Sequence, residues 1–173
     1  MVKTLKSVWL PVAVAAAVAV ALVATVASAA VSSLGIGSAT TAPGGTVVVN
    51  VTAEATSPSI GAYTIDVTYD DSLVTLSSCT SAIGLCNPAY ADATARLVGA
   101  APSGFPVGTI VIGTLTFQAG QTVGVADLDV AIDQLTDPEG ADISVTAGDG
   151  TITIAVPPTP SPTPSPAPVT PAP

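Results

Sequence analysis

The chain has 173 residues, twelve carboxylate side chains, three cations and no histidine, for a formal charge of −9. An acid surplus repels phosphate backbones and so excludes nucleic acid as a partner. The lack of histidine excludes Ser-His-Asp and Cys-His catalysis.

Residues 1–30, MVKTLKSVWLPVAVAAAVAVALVATVASAA, set Lys3 and Lys6 ahead of a long Ala/Val run and close on Ala27-Ser28-Ala29. This is the pattern of a secretory signal peptide with a small-x-small cleavage site; an uncleaved membrane anchor is the alternative. No later run is apolar enough to span a bilayer, which predicts export of the remainder to the medium or cell surface, with no membrane insertion beyond this segment. Once Lys3 and Lys6 are set aside, Arg96 is the only cation.

Residues 31–156 form one predicted domain of about 125 residues, enough to bury roughly two-thirds of its surface. Nearly every segment alternates with period two, and helical periodicity is missing. In TVVVNVTAE (Thr46 to Glu54), Val47, Val49, Val51 and Ala53 share one face. In IGAYTIDVTYDDSLVTL (Ile60 to Leu76), Tyr63, Ile65, Val67 and Tyr69 oppose Ala62, Thr64, Asp66 and Thr68.

Cys79 and Cys86 bracket CTSAIGLC, and in an exported chain with two cysteines a disulfide is expected. A metal pair is the alternative, but no histidine or further cysteine is available to complete a site. GTIVIGTLTFQAG (Gly108 to Gly120) breaks its own phase: Leu115 and Phe117 share parity with Val111, while Ile110 and Ile112 take the other. Either a bulge at Gly113 resets the alternation, or two isoleucines face outward beside Thr114 and Thr116. VADLDVAIDQL (Val125 to Leu135) places Ala126, Leu128, Val130 and Ile132 inside and Asp127, Asp129 and Asp133 outside. ISVTAGDGTITI (Ile143 to Ile154) reads as two short strands around Gly148-Asp149-Gly150. Turns at Pro43-Gly44-Gly45, Ser57-Pro58-Ser59 and Asp137-Pro138-Glu139-Gly140 punctuate the series, and many short strands at this spacing predict an all-β antiparallel sandwich. Residues 157–173, PPTPSPTPSPAPVTPAP, are a Pro/Thr/Ser-rich extended linker or tail.

Several chemistries can be weighed directly. Carboxylate pairs for glycoside cleavage exist at Asp70-Asp71 and at Asp127 and Asp129, but the first opens a turn and the second is a solvated strand face. No enzyme is expected. The acid-rich Asp127–Asp142 stretch lacks the calcium-loop spacing, leaving only a loop site around Asp137, Glu139 and Asp142. No metal or cofactor is assigned. Polysaccharide binding is a competing function, and it needs exposed aromatic rings. Tyr63, Tyr69 and Phe117 read as core, so Tyr90 and Phe105 are the available platform, with loop anchoring as their alternative role. A structural spacer with no dedicated ligand is a third function. Asn50-Val51-Thr52 matches a glycosylation sequon.

The ordered segments SSLGIGSATTAPGGT, TVVVNVTAEA, IGAYTIDVTYDDSLVTL, GTIVIGTLTFQAG and LTDPEGADISVTAGDGTITI resemble the cohesin domain family, with Tyr69, Asp70 and Leu73 at matching places. The resemblance implies a jelly-roll sandwich of about nine strands. It also implies a non-catalytic role in which one flat sheet face receives a dockerin, a small calcium-loaded helical module. On this chain the implied partner-binding face is the outer side of the Ile60–Asp70 strand, with Thr64, Asp66 and Thr68, joined by Ile110 and Ile112. Thr64 stands where scaffoldin domains carry a carboxylate, and Ala62 where they carry a polar amide.

Overall fold

The computed structural model describes residues 31–56 and 59–158. The expected signal peptide, 1–30, and all but the first two residues of the proline-rich tail lie outside the described residues. Eleven strands follow in order: β1 (Val31–Ile36), β2 (Ala39–Thr41), β3 (Thr46–Ala55), β4 (Ala62–Tyr69), β5 (Val74–Ser81), β6 (Leu85–Ala91), β7 (Thr94–Ala100), β8 (Gly108–Ala119), β9 (Gly124–Thr136), β10 (Ala147–Gly148) and β11 (Gly150–Ile154). Nine of them have five residues or more. Among the described residues no helix is long and apolar enough to cross a membrane.

The strands form a two-layer jelly-roll sandwich. One sheet has five strands in the order β10-β1-β3-β8-β5, the other six in the order β2-β11-β9-β4-β7-β6. Every pairing is antiparallel except two short ones at a shared corner, β1 with β10 and β2 with β11. There the chain passes from one sheet to the other twice, at Gly37-Ser38 and at Asp149. Gly35 lets β10 lie close against β1 at this corner, since a Cβ on it would lie 2.8 Å from the Gly148 carbonyl oxygen. Ser38 Oγ accepts from Thr151 N (3.0 Å) and Asp149 Oδ1 from Val130 N (2.8 Å), so the amides freed at the crossings keep partners.

The core is one cluster between the layers. Val49, Val51, Ile112, Leu115 and Phe117 enter from the five-stranded sheet, and Ile65, Val67, Leu97, Leu128 and Ile152 from the other. Each such buried side chain contributes about 1.5–3 kcal/mol of transfer free energy. The alternation read from β3, β4 and β9 places the same residues inside. In β8 the bulge is the correct alternative: Val51 pairs with Gly113 and Thr52 with Val111, leaving Ile112 unpaired between them. Ile112 is fully buried, Ile110 packs partly buried against the core, and Val111 takes the outside. Ile110 and Ile112 therefore do not belong to the outer face of β4. They point inward, and from the opposite sheet. A Cβ at 113 would sit 2.0 Å from Leu97 Cδ2, so any side chain there would displace that buried leucine.

Two ties bind the layers at the β5–β6 edge. Cys79 on β5 and Cys86 on β6 form the expected disulfide across 5.9 Å between Cα atoms, joining the edge strand of one sheet to the edge strand of the other. Tyr63 reaches from β4 across the core, its hydroxyl 2.6 Å from Ser81 Oγ and 3.1 Å from the Ile112 carbonyl oxygen, both in the other sheet. The Ile83 carbonyl oxygen, 3.3 Å away, is a second acceptor for the phenol, and Ser81 Oγ can donate to it or accept from it. Burial pushes the Tyr63 phenol above its ordinary value, against the opposing pull of the Ser81 and Ile83 hydrogen bonds.

Replacing both cysteines with alanine should lower stability by about 2–3 kcal/mol, read from urea unfolding, because the closed loop is short. Tyr63→Phe should cost about 1–2 kcal/mol by leaving the Ser81 hydroxyl and Ile112 carbonyl underbonded. The phenol also gives a pH dependence. Because the unfolded phenol ionises first, this stability is fully present below the ordinary value near pH 10 and is lost as pH rises from there through the raised folded value. The Tyr63→Phe protein should lose less stability as pH rises above about 10.

Candidate functional site

The outer face of the six-stranded sheet is built by the residues that alternation leaves over after the core is filled. Hydrogen-bonding register stacks them into rows that cross the strands. One row runs Leu85, Val98, Thr64, Gln134; the next Asn87, Arg96, Asp66, Ala131; a third Ala91, Thr94, Thr68, Asp129. Thr64, Asp66 and Thr68 therefore lie together on this face, as the sequence predicts.

The middle row carries the charge. Arg96 Nε donates to Asp66 Oδ1 and Nη2 to Asp66 Oδ2, both at 2.7 Å, a bidentate pair. Nη2 also donates to Asp133, which a bulge between Ile132 and Gln134 turns outward toward it. The Tyr90 ring covers the guanidinium at 3.8 Å. The hydrogen bond to Asp66 holds Arg96 above its usual range; burial opposes it, and the charges of Asp66 and Asp133 add to the rise. At the end of the third row Thr68 and Thr94 hydroxyls lie 3.2 Å apart.

Beside this row is a shallow depression of about 340 Å3, walled by Ala62, Thr64, Leu85, Val98, Ala100 and Gln134. Two of its lining residues are glycines held in close approaches. Gly84, at φ 123°, passes so close to β7 that a Cβ would lie 2.1 Å from the Val98 carbonyl oxygen. A Cβ on Gly99 would lie 2.1 Å from the Ile83 carbonyl oxygen and 2.6 Å from the Tyr63 ring. Leu85 stands at the rim, 73% exposed.

The sugar-platform residues separate. Phe105 is buried, its ring 5.8 Å from that of Tyr63, so it anchors its loop over the sandwich end and offers no platform. Tyr90 is 45% exposed, but it stacks on Arg96 and belongs to the same face as Thr64 and Asp66. In the acid-rich loop, Asp137 Oδ1 accepts from Ala141 N and closes the turn. Among the described residues no three His, Cys, Asp or Glu side chains gather where they could hold a metal. Asp70 Oδ1 likewise serves its turn, accepting from Ser72 N and Oγ.

Sequence reasoning misses the depression and the Arg96 clamp. Part of the signal is available: TARLVGA alternates, which puts Arg96 and Val98 outward once Ala95 and Leu97 are buried. Pairing Arg96 with Asp66 needs the β4–β7 register, which joins residues 30 apart and leaves no local trace.

A family model described as Cohesin domain matches residues 32–154. Among solved structures, the seventh ScaB type I cohesin from Pseudobacteroides cellulosolvens is 19% identical, with 73% of this chain and 94% of that one covered at a TM-score of 0.65. A type I cohesin–dockerin complex from Clostridium thermocellum matches at 14% identity, 71% and 98% coverage and a TM-score of 0.63. A non-cellulosomal cohesin from the archaeon Archaeoglobus fulgidus matches at 17% identity, 72% and 91% coverage and a TM-score of 0.62. These likenesses speak for the fold. No curated protein matches the chain.

Gly99→Ala tests the close approach beneath the depression. The added methyl has backbone on one side and a buried ring on the other. It should destabilise the domain by about 1–3 kcal/mol in urea unfolding.

Proposed function

The chain belongs to the cohesin domain family, and from that premise we propose that it is an extracellular, non-catalytic recognition module that receives a dockerin-type protein on the outer face of its six-stranded sheet. One observation carries this reading: the face joins an apolar depression to a charged row whose only cation is already paired. A partner can cover Leu85, Val98 and Thr64 without stranding a buried Arg96, because Asp66, Asp133 and Tyr90 already satisfy it. The binding residues are Thr64, Asp66 and Thr68, with Leu85, Val98, Arg96 and Tyr90.

The setting belongs to the same proposal. Residues 1–30 act as a leader or anchor for export, 31–156 as the recognition domain, and 157–173 as a spacer holding it away from its attachment. The assembly is a cell-surface or polysaccharide-degrading one. Direct polysaccharide binding is the weaker reading, since with Phe105 buried only Tyr90 remains of the platform.

Calorimetric titration with dockerin modules encoded in the same genome tests the proposal, beside a polysaccharide panel. Thr64→Arg/Thr68→Arg and Leu85→Asp should each weaken dockerin binding at least about 30-fold, the effect of losing a hot-spot residue. Val48→Asp, on the opposite face of the sandwich, should leave it unchanged. Dockerin binding that survives both face variants would overturn the assignment. Sugar binding that is lost with Tyr90→Ala would replace it with the carbohydrate reading.

A further inference from the structure

The outer face of the five-stranded sheet has a different chemistry, and the recognition function does not use it. On β3 it presents Thr46, Val48, Asn50, Thr52 and Glu54, and on β8 Thr109, Val111, Thr114, Thr116 and Gln118. The one charge on these two strands is Glu54, at the far end, and its carboxylate accepts from Thr109 Oγ1 at 2.5 Å. Val48 and Val111 are nonetheless 55% and 45% exposed. In a chain with twelve carboxylates, this central surface is left both uncharged and partly apolar. Asn50 sits at its middle, between the two valines: Val48 precedes it by two residues, and Val111 pairs with Thr52.

We propose that Asn50 is N-glycosylated and that its glycan lies over this face. Asn50-Val51-Thr52 is the chain's one Asn-x-Ser/Thr sequon; the other asparagine, Asn87, is followed by Pro88-Ala89. Strand alternation turns Asn50 and Thr52 outward together, while Val51 is fully buried between them. Asn50 Oδ1 accepts from Thr114 Oγ1 at 2.9 Å, which fixes the amide with Nδ2 on the remaining side. Nδ2 is the atom a glycan takes, and among the described residues no acceptor holds it. The neighbours are threonines and valines, with no bulky side chain to block a first sugar. Apolar C–H faces of sugar rings would rest on Val48 and Val111, and sugar hydroxyls would meet those of Thr114 and Thr116.

The donor is a lipid-linked oligosaccharide pyrophosphate, acted on by an oligosaccharyl transferase. Nδ2 attacks the sugar's anomeric carbon, the C–N bond forms, and the bond from that carbon to the phosphate oxygen breaks. The lipid pyrophosphate departs with the electron pair, and the amide proton passes to a base of the transferase. β3 is hydrogen-bonded on both sides, to β1 and β8, so the transfer precedes folding as the chain emerges from the membrane. The inference thus rests on the export part of the proposed function and not on the partner. Glycan on one face leaves the other free for recognition.

The test is mass spectrometry of the Asn50 peptide from full-length protein collected from its native organism, with Asn50→Gln, Thr52→Val and Thr52→Ser expressed in the same host. The expected result is a ladder of saccharide increments on the wild-type and Thr52→Ser peptides, lost in Asn50→Gln and Thr52→Val. Circular dichroism on each variant separates loss of the sugar from loss of the fold. An Asn50 peptide at its unmodified mass in the wild-type protein overturns the proposal. The two readings fail separately: dockerin titration of unglycosylated protein made in a host lacking the transferase reports on the partner alone.

Discussion

The hydroxyl of Tyr63 fixes how the two sheets meet at the edge beside the outer face that carries Thr64 and Asp66. A sandwich held by apolar contacts alone has little to prevent one layer sliding over the other, because dispersion contacts are weakly directional. A buried hydrogen bond is directional, and leaving its partners unpaired costs about 1–3 kcal/mol. Tyr63 spans the core to reach the Ile112 carbonyl, which also accepts from Ala82 N. That carbonyl belongs to the unpaired residue of the β8 bulge. The bulge therefore does two jobs: it corrects the phase of β8, and it offers an acceptor to the opposite layer. The Cys79–Cys86 bond closes the same edge covalently.

The depression on the outer face is the surface consequence of this buried arrangement. Tyr63 turned inward leaves Ala62 and Thr64 outward, both small. Gly99 must lack a side chain to admit the Tyr63 ring, and Gly84 must lack one to approach β7, and both line the depression beside Thr64. Arg96 adds the second element of preorganisation. A free arginine would lose rotamer freedom when a partner covered it; one clamped by two carboxylates and a ring has lost it already. Core geometry and site geometry are thus consequences of the same few residues.

What was legible in the sequence follows from range. Alternation is local, so the inner and outer faces of β3, β4 and β9 could be read directly, and with them Thr64, Asp66 and Thr68. The phase break in β8 was visible too, but choosing between a bulge and outward isoleucines needs the pairing with β3, which is not local. Phe105 illustrates the opposite limit: PSGFPVG has no periodicity, and only the Tyr63 ring against it decides that it is buried. The cysteine pair was legible as a bond, though not as a bond between sheets. The corner made by β2 and β10 was legible only in outline: of the short strand read before Gly148-Asp149-Gly150 only Ala147–Gly148 pair, and strands of three and two residues are too short to alternate.

The two outer faces divide the chain's chemistry between them. Four carboxylates, Asp66, Asp127, Asp129 and Asp133, project from the six-stranded sheet, and Glu54 alone from the central pair of strands in the other. On the six-stranded face these charges are not spread evenly. The Leu85–Val98–Thr64–Gln134 row is uncharged, the Arg96–Asp66 row is internally neutralised, and the row ending in Asp129 is acidic and open. Polarity therefore runs along the strands, from an apolar end through a paired middle to an anionic end. A partner docked on a uniform face could turn freely in the plane. On this one, rotating it by half a turn would carry its apolar anchor onto Asp129 and its polar side onto Leu85. Like-charge and unpaired-charge contacts discriminate between orientations more strongly than apolar burial does, so under the proposed docking the gradient would act mainly on specificity. Arg96 is what separates the two ends. Without it, Asp66 and Asp133 would extend the anionic region up to the depression and erase the boundary that gives the face its direction.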